Sequence, residues 1–172
     1  MASDPPVTLR PLTGHPEEIA AIQSVFASTP IYFDRVSGGP PGPTEARDTF
    51  TDLPPGSSRD DKHVFAIVSG GEIVGCIDVV RGFPDPATAM LGLLLVGEPW
   101  QGRGVGAAAY RALEAVVAGW DGCRRVRIGV VRTNEAVLAF WRRLGFVETG
   151  EVKPYARGPV ASEIVVLSKP LP

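Results

Sequence analysis

The chain is poor in the residues that build metal and redox centres. Its 172 residues include two cysteines, Cys76 and Cys123, and two histidines, His15 and His63. The cysteines lie far apart and form no CxxC, so they read as small apolar fillers in a reducing compartment. Two histidines are too few for a His-rich zinc or iron centre, and no metal is expected. Positive charge is not in surplus either, with Lys+Arg 17 against Asp+Glu 19 and a formal net charge of −2. Without a basic excess there is little to displace counterions from a nucleic-acid backbone, so no nucleic-acid partner is expected. A weakly acidic surface does not repel an amine or another cation. No apolar run approaches the length that crosses a bilayer, and Met1 to Arg10 contains no apolar signal core. These absences predict a soluble, cytoplasmic protein with no membrane partner.

Glycine and proline, by contrast, are abundant at 20 and 17 residues. That argues against a helix bundle and for short elements joined by many turns. Hydrophobic residues at 44% and charged residues at 21% give a globular balance. The length suits one ordinary domain spanning residues 1–172. The proline and glycine breaks before residue 60 tempt a boundary there. The segment ahead of them holds too few large apolar side chains for a core of its own.

Periodicity supplies the elements. Val7 to Leu12 alternates as a strand, and Pro16-Glu17-Glu18 starts a helix with Ile19, Ile22 and Phe26 on one face. A Gly/Pro-rich stretch from Ser37 to Pro43 precedes a short helix from Thr44. His63 to Ser69 and Glu72 to Arg81 flank Gly70-Gly71, a hairpin signal. Thr88 to Val96 is nearly continuous apolar sequence, expected of a central strand buried on both faces. A helix follows with Val105, Ala109, Ala112, Val116 and Trp120 at helical spacing. A strand from Arg124 to Val131, a helix from Asn134 to Leu144 closed by Gly145, and strands Val147 to Lys153 and Ser162 to Ser168 complete the chain. Strands in series followed by strand–helix–strand–helix–strand predict an α/β fold, a mixed and mostly antiparallel sheet with helices on both faces.

Chemistry concentrates where the central strand gives way to a helix, in Gln101-Gly102-Arg103-Gly104-Val105-Gly106-Ala107. Three alternate glycines let the backbone approach a bulky group, and the N–H groups of the first helical turn then face it. The pattern predicts an anion site, above all for a pyrophosphate. It formally matches the dinucleotide fingerprint twice, at Gly102-x-Gly104-x-x-Ala107 and Gly104-x-Gly106-x-x-Ala109. A nicotinamide or flavin oxidoreductase would place this loop near the start of its fold and an acid at the tip of the next strand. Here the loop lies past mid-chain, and that strand ends Val130-Val131-Arg132. No Gly-Lys-Ser/Thr is present, which excludes a Walker-type site.

Gln101-Gly102-Arg103-Gly104-Val105-Gly106 resembles the (Gln/Arg)-x-x-Gly-x-(Gly/Ala) signature of the GNAT superfamily of acyl-CoA-dependent N-acyltransferases. Downstream, Asn134-Glu135-Ala136-Val137-Leu138-Ala139-Phe140-Trp141-Arg142-Arg143-Leu144-Gly145-Phe146 is similar to that family's Asn-x-x-Ala/Val-x-x-Phe-Tyr-x-x-x-Gly-Phe segment. The resemblance is strong over residues 88–150. It implies acetyl-CoA as cosubstrate, its pyrophosphate held by amides of Gln101, Gly102, Arg103, Gly104, Val105, Gly106 and Ala107. It implies a pantetheine arm paired like an extra strand along Leu94, Leu95 and Val96, with the Val96 N–H donating to the thioester carbonyl. Asn134 and Trp141 are implied as further coenzyme contacts. The acceptor is expected to be a small-molecule amine or a protein amino group, and relatives commonly form a homodimer.

Transfer would proceed by direct attack of a primary amine on the thioester. Such an amine, with a pKa near ~10.4, needs a proton acceptor at neutral pH. Glu98, just past the central strand, is the first candidate and Asp78 the second. The family's tyrosine acid aligns with Trp141, whose indole cannot protonate a thiolate. Tyr155 and Tyr110 are the substitutes to examine, and Tyr32, Phe33 and Asp34 are candidates to line an acceptor pocket. The alternative to an enzyme is a catalytically silent acyl-CoA-binding sensor or scaffold on the same fold.

Overall fold

In the computed structural model the described residues are 6–172; Met1–Pro5, the start of the stretch without a signal core, lie outside them. Strand β1 (Val7–Leu12) leads to helix α1 (Pro16–Ala27), which begins with proline in its first turn and two acids beside it. Ile22, Val25 and Phe26 form its buried face. A helix that the periodicity did not predict follows, α2 (Pro30–Ser37), with Phe33 and Val36 buried. Pro30 at its start and a left-handed Gly38 at its end are the expected brackets of a helix, but its eight residues carry too few apolar positions to show a period. Helix α3 (Glu45–Thr51) then packs beside α1.

Strands β2 (Lys62–Ser69), β3 (Glu72–Arg81) and β4 (Thr88–Val96) form an antiparallel meander, joined at its first turn by Gly70-Gly71. Helix α4 (Val105–Ala118) crosses over to β5 (Arg125–Val131), which lies parallel to β4. A 3₁₀ turn over Arg132–Val137 runs into helix α5 (Leu138–Arg143), and the chain ends in the hairpin β6 (Val147–Arg157) and β7 (Val160–Pro170). The seven strands lie in the order β1-β2-β3-β4-β5-β7-β6, and only the β4–β5 pair is parallel. This is the mixed, mostly antiparallel sheet expected from the sequence.

Two apolar clusters cover its faces. Ile22, Phe26, Phe33 and Ala46 from α1, α2 and α3 pack on Val64, Cys76 and Leu95. Val105, Ala109, Tyr110, Leu113 and Val117 of α4, with Trp141 of α5, pack on Ile67, Ile77, Val79 and Leu91 from the other side. Burial raises the Cys76 thiol to about 12, in keeping with an inert filler.

The feature that positions the site is an interruption. β4 and β5 pair from Thr88↔Arg125 to Leu91↔Ile128 and no further. On the other edge of β4, Leu91 faces Val79 and Leu93 faces Asp78, so Gly92 is an extra, bulged residue. The bulge bends β4 away from β5 and opens a gap in the middle of the sheet. β4 is therefore not buried throughout, as its apolar sequence predicts: Gly92 is exposed and Leu93 and Leu94 are half-buried beside the gap.

Three other expectations need correction. The buried stripe of α4 runs Val105, Ala109, Leu113, Val117, while Val116 is 38% exposed and Trp120 lies beyond the helix against His63 and Arg81. The run of alanines in α4 gave the periodicity no contrast to choose between the two stripes. The helix predicted from Asn134 starts as an α-helix only at Leu138, because Asn134 has non-helical backbone angles. The last hairpin is longer than predicted because β6 is an edge strand, exposed along almost its whole length and hence without apolar alternation. Pro154 is tolerated there for the same reason.

Gly75 of β3 tests the β3–β4 packing on which the gap relies. A Cβ there would lie 2.5 Å from the Leu95 carbonyl oxygen and 2.8 Å from Ile67 Cδ1. Gly75→Ala should destabilise the protein by about 1–3 kcal/mol in urea unfolding, and an unchanged midpoint would contradict this packing.

Candidate active site

The gap between β4 and β5 continues into a cavity of about 680 Å³. Its walls are α2, β4, the loop 101–104, the start of α4, β5, and the turn and helix beyond β5. A volume of that order suits a small-molecule ligand. Gly97 N–H donates to Val74 O, which makes Gly97 and Val74 a hydrogen-bonded pair of the antiparallel ladder. By alternation the N–H and C=O groups of Val96 and Leu94 point the opposite way, into the gap where β5 no longer pairs. A strand edge with the Val96 N–H and the Leu94 N–H and C=O unpaired by any strand therefore lines the cavity, the Val96 C=O being taken by Gln101.

At its mouth the loop ends in α4. Gly102 and Gly104 have φ of +74° and +78°, and a Cβ at either position would meet nothing within 4 Å. These are conformations that glycine alone adopts readily, with open space above them. Gly104 is the N-cap of α4 and no side chain caps the helix. The N–H groups of Val105, Gly106 and Ala107 thus have no intrahelical acceptor, and the helix dipole adds positive potential. Gln101 ties the loop down from beneath, its Nε2 donating to Val96 O at 2.8 Å. The donor set fits a pyrophosphate, and the free edge of β4 fits an extended amide-bearing arm.

Of the coenzyme residues expected from the sequence, Leu94, Leu95, Val96, Gln101, Gly102, Gly104, Val105, Gly106, Ala107, Asn134 and Trp141 all line this cavity. Arg103 does not; its guanidinium lies 5.5 Å from the centroid of the Trp100 ring. Cations that the sequence reasoning missed do line it: Arg35, Arg111 and Arg143, against a single carboxylate, Glu98. Arg111 follows Ala107 by one helical turn, a spacing that could have revealed it. Asn134 is 8% exposed and its Oδ1 accepts from Arg35 Nη1 at 3.2 Å, while Thr133 Oγ1 donates to Arg35 O at 2.6 Å. These bonds tie α2 across the gap to the turn after β5.

Trp141 packs edge-on against Tyr110, Phe140 and Phe146. Neither alternative tyrosine is free in the cavity. Tyr110, on the core-facing side of α4, is fully buried, and burial pushes its ionisation far up. Tyr155 donates to Val36 O at 2.6 Å, anchoring β6 to α2. Phe33 is part of the core and borders a second, smaller pocket rather than this cavity, and Asp34 is exposed away from both. Tyr32 does line it.

Glu98 accepts a long hydrogen bond, 3.4 Å, from Ile31 N–H at the start of α2, where a carboxylate also suits the helix dipole. Asp78 sits elsewhere, over the bulge: a Cβ on Gly92 would lie 3.2 Å from Asp78 Oδ2. Lys62 Nζ donates to that same oxygen at 2.9 Å, and Oδ1 is buried without a hydrogen-bond partner. Burial raises the pKa of Asp78 above its ordinary value, and Lys62 offsets part of the effect. Among the described residues no group of three His, Cys, Asp or Glu side chains is placed to hold a metal, and no helix is long and apolar enough to cross a membrane.

The sheet is parted at its centre, with unpaired strand donors and an uncapped helix start around one cavity. The profile of the acetyltransferase (GNAT) family matches residues 25–146, and the chain belongs to that family. An acetyltransferase from Thermus thermophilus is similar in structure, with a TM-score of 0.76 and 28% identity, over 99% of this chain and 100% of that one. The ribosomal-protein-S18-alanine N-acetyltransferase from Escherichia coli superposes with a TM-score of 0.69 at 16% identity, covering 96% and 94% of the two chains. A GNAT family acetyltransferase from Elizabethkingia anophelis, solved with acetyl-CoA bound, gives a TM-score of 0.62 at 18% identity over 96% and 98%. The last two likenesses are of fold. Among curated proteins none matches the chain.

Gly104→Val places a β-branched residue at φ +78° at the N-cap, directly before the donor set. It should weaken acetyl-CoA binding at least about tenfold by calorimetry, since one charge-assisted hydrogen bond is worth about that factor. A folded variant with unchanged affinity would remove the loop from the site.

Proposed function

We propose that the protein transfers an acetyl group from acetyl-CoA to a primary amine by direct attack. The observation that carries this is the continuity of two backbone donor sets, the β4 edge at Leu94 and Val96 and the first turn of α4, along one cavity. When bound, acetyl-CoA supplies an activated thioester. The residues do the remaining work. The Val105, Gly106 and Ala107 amides hold the pyrophosphate, with Arg111 and Arg143 adding positive charge along the same wall. The edge of β4 orients the pantetheine arm, and the Val96 N–H, fixed by the β3–β4 ladder, donates to oxygen charge that develops beside it.

The proton of the attacking amine needs an acceptor. Of the two carboxylates expected from the sequence, Asp78 is the better placed, because it lies directly over Gly92 at the point where the sheet opens. Its raised pKa brings it closer to the neutral range in which a general base is effective. Glu98 serves α2 instead and acts as a positioning residue. With no tyrosine at the position of Trp141, the thiol leaves with solvent as its proton source. A thiol pKa of about 8.5 makes that feasible. A protein that binds acetyl-CoA but releases no thiol with any amine would be the silent sensor.

The test is a pH profile of thiol release. A base must be deprotonated, so activity falls as the pH drops through the raised pKa of Asp78, giving an acidic limb above the ordinary carboxylate range. Asp78→Asn should lower kcat by about 100-fold or more and abolish that limb, while Glu98→Gln should leave the limb in place. The reverse pattern would reassign the base to Glu98.

A further inference from the structure

Asn134 stands just ahead of α5, where an asparagine ordinarily caps a helix, and it caps nothing. Its backbone angles, φ −111° and ψ 27°, break the 3₁₀ turn over Arg132–Val137, and neither that turn nor α5 has a side-chain cap. The amide oxygen is committed instead to a residue 99 positions away in the chain, where Oδ1 accepts from Arg35 Nη1 at 3.2 Å.

This partner decides which way the amide faces. A guanidinium carries N–H donors and no acceptor, so only the oxygen of Asn134 can meet it. The NH₂ group is therefore turned away from Arg35. Asn134 is 8% exposed and lines the cavity between β4 and β5. Among the described residues Nδ2 has no hydrogen-bond partner, yet it is not one of the polar atoms sealed off inside the protein. A nearly buried donor with nothing to bond and one open face is a group that a ligand completes.

Arg35 is itself held in place. Thr133 Oγ1 donates to its main-chain oxygen at 2.6 Å, and one residue on, Tyr155 donates to Val36 O at 2.6 Å. Arg35 also lies in the last turn of α2, where a cation suits the helix dipole. That interaction needs only the charge and does not require a bond to Asn134. Among the described residues no other group holds Oδ1. An asparagine released from such a bond is free to turn and bond the N–H groups of its own turn, as asparagines at helix starts do.

We propose that Arg35 is a positioning residue for the coenzyme. By holding Oδ1 it presents Nδ2 of Asn134 as a donor to the arm of acetyl-CoA, and it makes α2 part of the coenzyme site. The identity of the ligand rests on the acetyl transfer proposed above; the orientation of the amide does not. No linear motif would join residues 35 and 134, since the link exists only where α2 crosses the gap.

The experiment follows the Asn134 side-chain NH₂ resonances in isotope-labelled protein during a titration with acetyl-CoA, with calorimetry alongside; Asn134→Ala assigns them. In the unsubstituted protein they should shift and saturate together with the Val105, Gly106 and Ala107 amides. Arg35→Met keeps the aliphatic stem and removes the donor. It should displace the Asn134 resonances in the free protein and abolish their response to acetyl-CoA, while the α4 amides still move. The Kd should rise about three- to tenfold, the worth of one neutral hydrogen bond. Arg35→Met also removes a cation, so the resonance and not the affinity decides. Thr133→Val cuts the other tie between α2 and this turn and leaves the guanidinium in place. It should lower the urea midpoint and preserve the Asn134 response. A response that survives Arg35→Met would overturn the proposal. So would one that Thr133→Val abolishes equally, because tethering α2 would then be what matters. In the unsubstituted protein, which needs no variant to fold, α4 amides that move without Asn134 would overturn it and leave the coenzyme site standing. If neither moves, but Arg35→Met still displaces the Asn134 resonances of the free protein, the coenzyme reading fails and the orientation of the amide stands.

Discussion

Everything at the site follows from β4 losing its neighbour after Leu91. Four residue pairs hold β4 to β5, from Thr88↔Arg125 to Leu91↔Ile128, and then the bulge at Gly92 turns β4 away. A buried strand edge without a partner is normally costly, because its amides and carbonyls are removed from water with nothing to bond. Here a cavity lies along the edge and leaves its groups open. The uncapped start of α4 prolongs the same logic by one turn of helix. Both donor sets are main-chain atoms, so their positions are set by the sheet and not by rotamers. This is how a family can hold one coenzyme while its side chains diverge.

The bulge also divides the electrostatics. On one side lie Arg35, Arg111 and Arg143, on the other Asp48, Asp52 and Asp78, with Tyr32, Gly92 and Leu93 between them. Helix α2 is the partition. It is fixed at its start by Glu98, along its length by Arg35, Thr133 and Asn134, and near its end by Tyr155. Several polar residues that a sequence motif would assign to chemistry are therefore occupied with holding α2 in place.

The sheet and the glycine loop were legible in the sequence because both rest on local backbone rules: alternation in β1 and β5, turn residues at Gly70-Gly71 between β2 and β3, and three alternate glycines leading into a helix. What stayed hidden depended on tertiary context. Helix α2 was too short for its apolar spacing to register. The apolar run of β4 reads the same whether its middle faces a core or a cavity. Trp141 lines the cavity, yet Arg103, set between two glycines of the loop, turns aside to Trp100, and Arg35 arrives from a distant part of the chain. The second pocket, which holds Asp48, Asp52 and Asp78, unites residues of α3, β3 and β6, a grouping that no linear motif encodes.

Backbone amide shifts during a titration with acetyl-CoA test the central claim most directly, since the donors in question are main-chain N–H groups. The account predicts that Leu94, Val96, Val105, Gly106 and Ala107 move most and move together, saturating at one equivalent. Saturable binding that leaves those amides unmoved, with the largest shifts elsewhere in the chain, would contradict it.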